Sequence, residues 1–311
     1  MSEEKKLAII GFGNQAKAWA LNLRDSGWDV VIYLRPQSKS FAQAQKLGFL
    51  ALPWSDQSIS SCHSFALLIP DHEHGEALSH LPMKQLNHAR MIYAHGYSLA
   101  KYKLKVKYPE LTHLLLAPKS IASEMRFFYE TGKKLSGVFS VEHSTNPTKD
   151  QEWLMSLARA LGIKVGPFPA QFSEECKADL FSEQALLCGL YPYAILEAYN
   201  QLRKNGVNAE LAYLECWHES KLIMDAMVER GPKAFFSLIS PNALMGSQKG
   251  KKLLSPELKK VFNLLLNDID DGTFENEMDQ FSHQSLKKEV EDFWDQQELQ
   301  QTYEKLKDLY L

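Results

Sequence analysis

Short apolar runs alternate with helical patterns along the first half of the chain. The runs are LAII, DVVIYL, FALLIP, RMIYAHG, HLLLAPK, GVFSVEH and IKVGPF, and a helical pattern over residues 14–26 separates the first two. Alternation at this spacing is typical of βαβ units, in which helices that cover the sheet join parallel strands. The first half therefore predicts an α/β domain with a mainly parallel sheet.

The pattern changes after the breaker cluster Gly166-Pro167-Phe168-Pro169, because the periodicity beyond it is almost entirely helical. We place the domain boundary near Ala170. The chain is thus predicted to consist of an α/β domain over residues 1–170 and an all-helical domain over residues 171–311.

Three helical regions are expected in the second domain. They cover residues 173–205 with an interruption near Pro192, residues 209–230, and a stretch from Ser255 toward the C-terminus. The last segment, KKEVEDFWDQQELQQTYEKLKDLYL, is amphipathic and heavily charged. We interpret it as a solvated helix that packs on the helical domain, with a partner-binding helix as the alternative.

Composition and charge exclude several classes of protein. Hydrophobic residues make up 45% of the 311 residues and charged residues 23%, as in an average globular chain. The formal net charge of −3 gives the protein no overall positive potential that would attract a polyanion, so nucleic acid is not expected as a partner. The four cysteines lie far apart, and no apolar run reaches the roughly 18 residues of a membrane span. We therefore expect reduced thiols, no membrane association and a cytoplasmic location.

A glycine motif follows the first predicted strand. The segment Gly11-Phe12-Gly13-Asn14-Gln15-Ala16 has the pattern G-x-G-x-x-A between a strand and a helix, which is the context of a dinucleotide-binding turn. Gly11 permits the tight turn, and Gly13 lets the backbone approach a pyrophosphate at the N-terminus of the helix. A glycine turn without a ligand is the alternative.

The end of the second predicted strand bears on the choice of cofactor. An enzyme that uses NAD carries an acidic residue there for the ribose hydroxyls, whereas this chain has Arg35, followed by Ser38 and Ser40. Arg35 can pair with a 2′-phosphate and the two hydroxyls can donate to it, so the sequence favours NADPH. The alternative is that Arg35 and Lys39 are ordinary solvated charges.

Two acidic pairs mark the helical half. Asp179 and Glu183 are four residues apart, as are Glu215 and Glu219, so the two carboxylates of each pair lie on one face of a helix. The two carboxylates of a pair repel each other unless a cation binds between them. Ligation by oxygen alone suits Mg²⁺ or Mn²⁺ rather than zinc. The neighbours of these residues are largely apolar, which leads us to expect the helices and their carboxylates to be mostly buried. From the residues alone, a solvated acidic face without a metal is the alternative interpretation.

These segments resemble the sequences of ketol-acid reductoisomerases. The resemblance covers nearly the whole chain, from IIGFGNQAKAWALNLRDSGWDVVIYLRPQSKS through LLIPD, AHG and APK to ADLFSEQALLCG and AYLECWHESKLI. The last two segments are highly specific. The length and the C-terminus resemble the short form of this family.

The resemblance implies a fold, an activity and an assembly. It implies a Rossmann-type dinucleotide-binding domain followed by a knotted, all-helical C-terminal domain. The implied activity is the NADPH- and Mg²⁺-dependent conversion of a 2-acetyl-2-hydroxy acid into a 2,3-dihydroxy acid, in branched-chain amino acid biosynthesis. The implied assembly is a homodimer in which each site takes Asp179 and Glu183 from one chain and Glu215, Glu219 and Ser240 from the other.

Roles for individual residues follow from the same resemblance. The four carboxylates organise two Mg²⁺ ions, with Glu219 or a water on a metal as proton acceptor, and Ser240 contacts the substrate carboxylate. His95 of YAHG and Lys119 of APK lie near the nicotinamide and the metals. Asp71 of LLIPD and Ala122 lie beside the cofactor. Without the family, His95 is interpreted as a core histidine and Lys119 as a surface charge at a strand end.

The chain departs from the family at two places. After Lys119 the family continues Gly-Pro-Gly-His, whereas this chain has Ser120-Ile121-Ala122-Ser123, and Pro241 follows Ser240 where the family has a polar residue with a free N–H. The Cβ atom of Ala122 and the donor lost at Pro241 are expected to crowd or reshape the pocket. This predicts weak or altered activity on 2-acetolactate with NADPH binding retained. A reductase of a different 2-keto acid and a catalytically silent dinucleotide-binding paralogue stay open as alternatives.

Overall fold

The computed structural model describes residues 5–82 and 85–309. The chain separates into two compact units, Met1–Cys176 and Lys177–Leu311. The division lies six residues beyond the predicted boundary at Ala170, within a helix that begins at Phe172.

The described residues of the first unit form an eight-stranded sheet and the α-helices that connect its strands. The strands are β1 Lys6–Ile10, β2 Asp29–Leu34, β3 Leu50–Pro53, β4 Ser64–Leu67, β5 Arg90–Tyr93, β6 Thr112–Pro118, β7 Leu135–Glu142 and β8 Ile163–Pro169. The helices are α1 Asn14–Asp25, α2 Ser40–Lys46, α3 His74–Ser79, α4 Tyr97–Lys101, α5 Leu104–Lys107, α6 Ala122–Thr131 and α7 Pro147–Ala160.

The strand order is β3-β2-β1-β4-β5-β6-β7-β8, and every neighbouring pair is parallel except β6 and β7. The first six positions have the order of a Rossmann-type sheet, in which a ligand binds where the strand order reverses, beyond the carboxyl ends of β1 and β4. The predicted mainly parallel α/β domain is confirmed. The breaker cluster at residues 166–169 does not end the sheet, because β8 runs through it as the edge strand, where proline removes no needed ladder donor.

Alternating side chains of the central strands form two cores, one on each face of the sheet. Leu7 and Ile9 belong to the core that includes Trp19 of α1, whereas Ala8 and Ile10 belong to the core on the opposite face. Because β1 is buried on both faces, it carries an uninterrupted apolar run, and this pattern made it recognisable in the sequence.

The second unit is helical, as predicted. The helix α8 Phe172–Ser182 begins in the first unit and ends in the second. The α-helices that follow are α9 Leu190–Lys204, α10 Ala209–Tyr213, α11 Glu219–Arg230, α12 Pro232–Leu238, α13 Pro241–Asp270, α14 Thr273–Met278, α15 His283–Asp295 and α16 Glu298–Leu306. Two π-helical turns, Glu183–Leu187 and Leu214–His218, interrupt the predicted first and second helical regions.

One predicted helix boundary is wrong. The first helical region is interrupted at Cys188 and Gly189, close to Pro192, which lies in the first turn of α9, where its missing N–H is tolerated. The long helix expected from Ser255 begins instead at Pro241, so that Pro256 lies inside α13.

The C-terminal segment behaves as its amphipathic pattern predicts over α16. Leu299 and Leu306 are buried in a small core with Tyr199, and the Tyr199 hydroxyl lies 3.0 Å from that of Thr302. Within residues 5–82 and 85–309, no helix is long and apolar enough to cross a membrane.

Candidate active-site residues

The glycine turn lies at the carboxyl end of β1, where the strand order reverses. Gly11 has φ +103°, a conformation that side chains rarely adopt, and a Cβ atom there would collide with Ile69 and with the carbonyl oxygen of Leu68. Gly13 is the N-cap of α1, and a Cβ atom on it would meet no atom within 4 Å. The turn therefore presents open backbone at the N-terminus of a helix, as anion binding requires.

The three other residues predicted to bind the cofactor at this turn differ in their exposure to solvent. Asn14 and Gln15 open α1, with Asn14 exposed and Gln15 partly buried. The side chain of Phe12 is buried and packs edge-on against Phe49, with ring centroids 5.9 Å apart. Only the backbone of Phe12 is thus available to a cofactor, because its ring belongs to the core.

The turn after β2 carries the three residues predicted to bind a 2′-phosphate. Arg35 is exposed, and its Nη1 atom lies 3.4 Å from Oε1 of Glu73. The Ser38 hydroxyl accepts a hydrogen bond from the backbone N–H of Ser40 at 3.3 Å. The predicted cation is therefore present at the edge of the site, and it already faces a carboxylate.

Asp71 fixes the loop that follows β4. Its Oδ1 atom accepts from the backbone N–H of Ser98 at 3.1 Å, and the Ser98 hydroxyl lies 2.7 Å from Nδ1 of His74. Since Nε2 of His74 lies 3.0 Å from the carbonyl oxygen of Ile69, Nε2 carries the proton and Nδ1 accepts from Ser98. Burial holds the pKa of His74 below its ordinary value. A neutral histidine thus anchors the loop next to the glycine turn.

An ion pair lies at the carboxyl end of β6. Lys119 follows β6 directly, and its Nζ atom donates to Oε1 of Glu175 at 2.6 Å. The other oxygen of Glu175 accepts from the backbone N–H of Gly96 at 2.7 Å. Gly96 has no room for a side chain, because a Cβ atom would collide with the carbonyl oxygen of Phe172. The Glu175 side chain is only 1% exposed, so two strong donors hold a deeply buried carboxylate.

His95 lies beside this ion pair rather than in the hydrophobic core. Its Nε2 atom is 3.8 Å from Oε2 of Glu175, and its ring stacks on Tyr97 with centroids 6.2 Å apart. Both the predicted His95 and the predicted Lys119 thus converge on Glu175, a residue absent from the predicted set. The spacing i, i+4 between Glu175 and Asp179 is the signal that could have revealed it.

The departure after Lys119 forms the start of α6. Ile121 is the N-cap with φ −69°, and Ala122 is the first helical residue, so this segment adopts no conformation that requires glycine. The Ala122 methyl group packs against the core on the α1 face of the sheet. The side chain of the neighbouring Ile121, in contrast, is 70% exposed.

The acidic pairs of the second unit flank the two π-helical turns. Asp179 lies on α8, Glu183 begins the first π turn, Glu215 lies in the second π turn, and Glu219 begins α11. π-Helical turns are rare and frequently occur at functional sites.

The expectation that these carboxylates are mostly buried is wrong for a single chain. Asp179 is partly buried, but Glu183, Glu215 and Glu219 are exposed. Their apolar neighbours are covered unevenly, since Ala185 and Tyr213 are buried whereas Leu186 and Leu187 are 49% and 57% exposed. Over the described parts of the chain, no three of the four carboxylates lie within 4.8 Å of one another.

Ser240 caps a helix. Its exposed hydroxyl accepts from the backbone N–H of Ala243 at 3.2 Å, and α13 begins at Pro241. A proline at the first helical position gives up an N–H that has no partner within the helix. The missing N–H of Pro241 therefore removes no hydrogen bond from α13.

Comparisons with known proteins assign both units to one group. A family model described as the NADPH-binding domain of acetohydroxy acid isomeroreductase matches residues 1–166, and one described as the C-terminal domain of ketol-acid reductoisomerase matches residues 172–310. The ketol-acid reductoisomerase (NADP⁺) of Xylella fastidiosa is 32% identical over 271 residues, which are 86% of this chain and 77% of that protein.

Solved structures agree with these matches. The structure of an NADH-preferring ketol-acid reductoisomerase from an uncultured archean has a TM-score of 0.88 and 27% identity, over 99% of this chain and 95% of that chain. A semialdehyde dehydrogenase NAD-binding protein from Cupriavidus necator, in complex with calcium and NAD, has a TM-score of 0.66 and 16% identity, over 87% of this chain and 99% of that one. The second likeness shows the fold alone.

Proposed function

Because this chain belongs to the ketol-acid reductoisomerase family, an enzyme family, we propose that it converts a 2-acetyl-2-hydroxy acid into a 2,3-dihydroxy acid with NADPH and Mg²⁺. The observation that carries this proposal is the ion pair between Lys119 and Glu175 at the carboxyl end of β6, with His95 beside it. Coupled charged groups at such an edge of a sheet are frequent at catalytic sites, which favours an enzyme over a silent binding protein.

The glycine turn fits a dinucleotide. Gly11 has the positive φ of a tight turn, and the space above Gly13 is open where a Cβ atom would otherwise stand. Arg35 is the residue that would pair with the 2′-phosphate, with Ser38 and Ser40 as donors. NADPH, when bound, supplies the hydride.

The acidic pairs fit Mg²⁺ by the chemistry of their donors. All four groups are carboxylates, three of them exposed, so a hydrated cation can reach them without displacing the core. Asp179, Glu183, Glu215 and Glu219 would hold the ions. Mg²⁺, when bound, supplies stabilisation of the negative charge that the substrate oxygens acquire during the alkyl shift.

Residues of both units are proposed to handle protons and orientation. The substrate's hydroxyl group first loses its proton. The oxygen left charged by the alkyl shift and the oxygen left charged by hydride addition then each take up a proton, so one proton is consumed in all. Glu219 is the proposed proton acceptor. Lys119 is the proposed donor, because Glu175 fixes its Nζ atom while the lysine side chain keeps 37% exposure at the strand end. Gly96 sets the position of Glu175 through its N–H.

We also propose that two chains share each site. The failure of the four carboxylates to cluster within the described parts of one chain supports this, as do the uncovered apolar residues around them. Co-expression of Asp179→Asn with Glu215→Gln tests it. In a shared-site dimer of the two mutant chains, one site carries both substitutions and the other carries none, so activity returns, whereas sites confined to single chains stay inactive.

The substrate is tested by comparing three compounds with the purified protein, NADPH and Mg²⁺. The proposal expects NADPH oxidation with 2-acetolactate and with 3-hydroxy-3-methyl-2-ketobutyrate. Oxidation with an unrelated 2-keto acid alone would favour the related reductase. Tight dinucleotide binding without turnover of any compound would favour the silent paralogue.

A further inference from the structure

Arg35 and Glu73 meet across the mouth of the glycine turn. Arg35 directly follows β2, and Glu73 ends the short 3-10 helix Asp71–Glu73 that follows β4. In the sheet, β1 lies between β2 and β4, so a contact between the two residues crosses the carboxyl end of β1, where the turn begins. The atoms Nη1 of Arg35 and Oε1 of Glu73 are 3.4 Å apart.

The two partners differ in their access to solvent. The side chain of Glu73 is 18% exposed, whereas that of Arg35 is 55% exposed. A phosphate can therefore reach the guanidinium group, but the carboxylate stays beside it with much of its surface shielded from water. Shielding strengthens the repulsion between this carboxylate and a second anion.

From this geometry we infer that Glu73 is a specificity-determining residue that opposes Arg35. The inference rests on the proposed dinucleotide site. Arg35 attracts a 2′-phosphate, Glu73 repels it, and the same Glu73 carboxylate can accept from the ribose hydroxyl of a dinucleotide that lacks the phosphate. The pair therefore keeps the preference for NADPH over NADH small.

The test measures dissociation constants for NADP⁺ and NAD⁺ by calorimetry on the full-length protein, at one fixed pH and ionic strength for all variants. The variants are Glu73→Gln, Glu73→Ala and, as a matched control, Glu76→Gln, which removes the same charge from the exposed face of α3. Glu73→Gln should tighten NADP⁺ binding roughly tenfold, as expected for loss of one shielded like charge. NAD⁺ binding should stay unchanged or weaken, and Glu76→Gln should move neither constant.

Three results would overturn the inference. They are unchanged or weaker binding of NADP⁺ in both Glu73 variants, equal tightening for the two dinucleotides, and an equal effect of Glu76→Gln. Each of these leaves the proposed function standing, because the wild type still binds dinucleotide. If the wild type binds neither dinucleotide, the proposed function fails and this inference fails with it. Because Glu73→Ala removes the carboxylate without an amide in its place, agreement between the two variants excludes an effect of the new side chain.

Discussion

The Nζ atom of Lys119 lies 2.6 Å from Oε1 of Glu175, and this pair joins the end of β6 to the first turns of α8. The lysine is partly open to solvent while the carboxylate is enclosed, so the buried partner fixes the position of the exposed one. The N–H of Gly96 supplies the second hydrogen bond that makes an enclosed carboxylate tolerable. This geometry is the basis for proposing Glu175 as a positioning residue and Lys119 as the group that meets the substrate.

Replacement of Glu175 by glutamine tests this assignment. The change keeps the shape but leaves Lys119 without its anionic partner, so we expect kcat on 2-acetolactate to fall at least about 100-fold, with the Kd for NADP⁺ nearly unchanged. Steady-state kinetics and calorimetry measure the two quantities. A structural role alone would not shift the pH profile of kcat, which should change because Lys119 loses its counter-ion.

The exposed neighbour Glu174 provides the control. Its Oε2 atom accepts from the backbone N–H of Gln171 at 3.2 Å, a bond that glutamine can keep. Glu174→Gln should therefore retain wild-type kcat. Equal losses in the two variants, or full activity in Glu175→Gln, would contradict the positioning role.

Charge reversal at Arg35 tests the choice of dinucleotide. Arg35→Asp removes the partner of the 2′-phosphate and adds repulsion, so we expect the Kd for NADPH to rise far more than that for NADH. Lys46→Asp, a reversal in the last turn of α2, is the control and should change neither value. Equal weakening of both dinucleotides by Arg35→Asp would contradict the assignment.

Asp179→Asn tests the metal site. Removal of one carboxylate weakens ligation and relieves repulsion without metal, so isomerisation should be lost while the melting temperature stays within a few degrees of wild type. Asp225→Asn, on the exposed face of α11, should keep full activity. Turnover of acetolactate by Asp179→Asn in the presence of a chelator would exclude the metal role.

Ile121 is the residue at which the departure after Lys119 should act. Ile121→Gly removes an exposed side chain beside the proposed site and should raise acetolactate turnover several-fold. Ala122→Gly should instead lower the free energy of unfolding by about 1 kcal/mol, because it removes a packed methyl group at the start of a helix. Unchanged turnover in Ile121→Gly would show that this departure is neutral for the reaction.

Because His113 is buried, we expect the free energy of unfolding to depend on pH. Burial lowers its pKa from 6.5 to about 4 and outweighs the hydrogen bond to the Tyr108 carbonyl, which acts in the opposite direction. The unfolded chain binds the proton first, so stability is complete above pH 6.5 and is lost as the pH falls toward 4. Between pH 7 and pH 5 the free energy of unfolding should drop by about 2 kcal/mol from this group.

Urea unfolding of His113→Gln measures that contribution. The variant should lose stability at pH 7, and its decline between pH 7 and pH 5 should be shallower than that of the wild type. Replacement of the exposed His63 by glutamine should leave the slope unchanged. A wild-type slope in His113→Gln would contradict the assigned cause.

The sequence predicts those parts of the fold that local patterns determine. Strands buried on both faces carry uninterrupted apolar runs, so β1 and β2 were recognisable, whereas Leu50–Pro53 was missed because β3 has four residues, one of them exposed. The glycine turn was predictable because its chemistry lies within one short segment. The π-helical turns left no periodic signal beyond the acidic pairs, of which each turn contains one member.

Contacts between distant segments could not be predicted in this way. Glu175 is 79 residues from Gly96 and 56 from Lys119, so nothing local in its own segment showed that two donors enclose it. The same holds for Glu73, whose pairing with Arg35 depends on β1 separating β2 from β4. The sequence identified charged residues near the site, and the sheet order determines which of them meet.

Product analysis of a single reaction tests the proposed reductoisomerase activity most directly. The purified wild-type protein is incubated with 2-acetolactate, NADPH and Mg²⁺, and mass spectrometry follows the acid while absorbance follows NADPH. We expect one 2,3-dihydroxy acid to form for each NADPH consumed, and no product to form when Mg²⁺ is chelated. Consumption of NADPH without the rearranged product, or no reaction with 2-acetolactate in the presence of both NADPH and Mg²⁺, would contradict it.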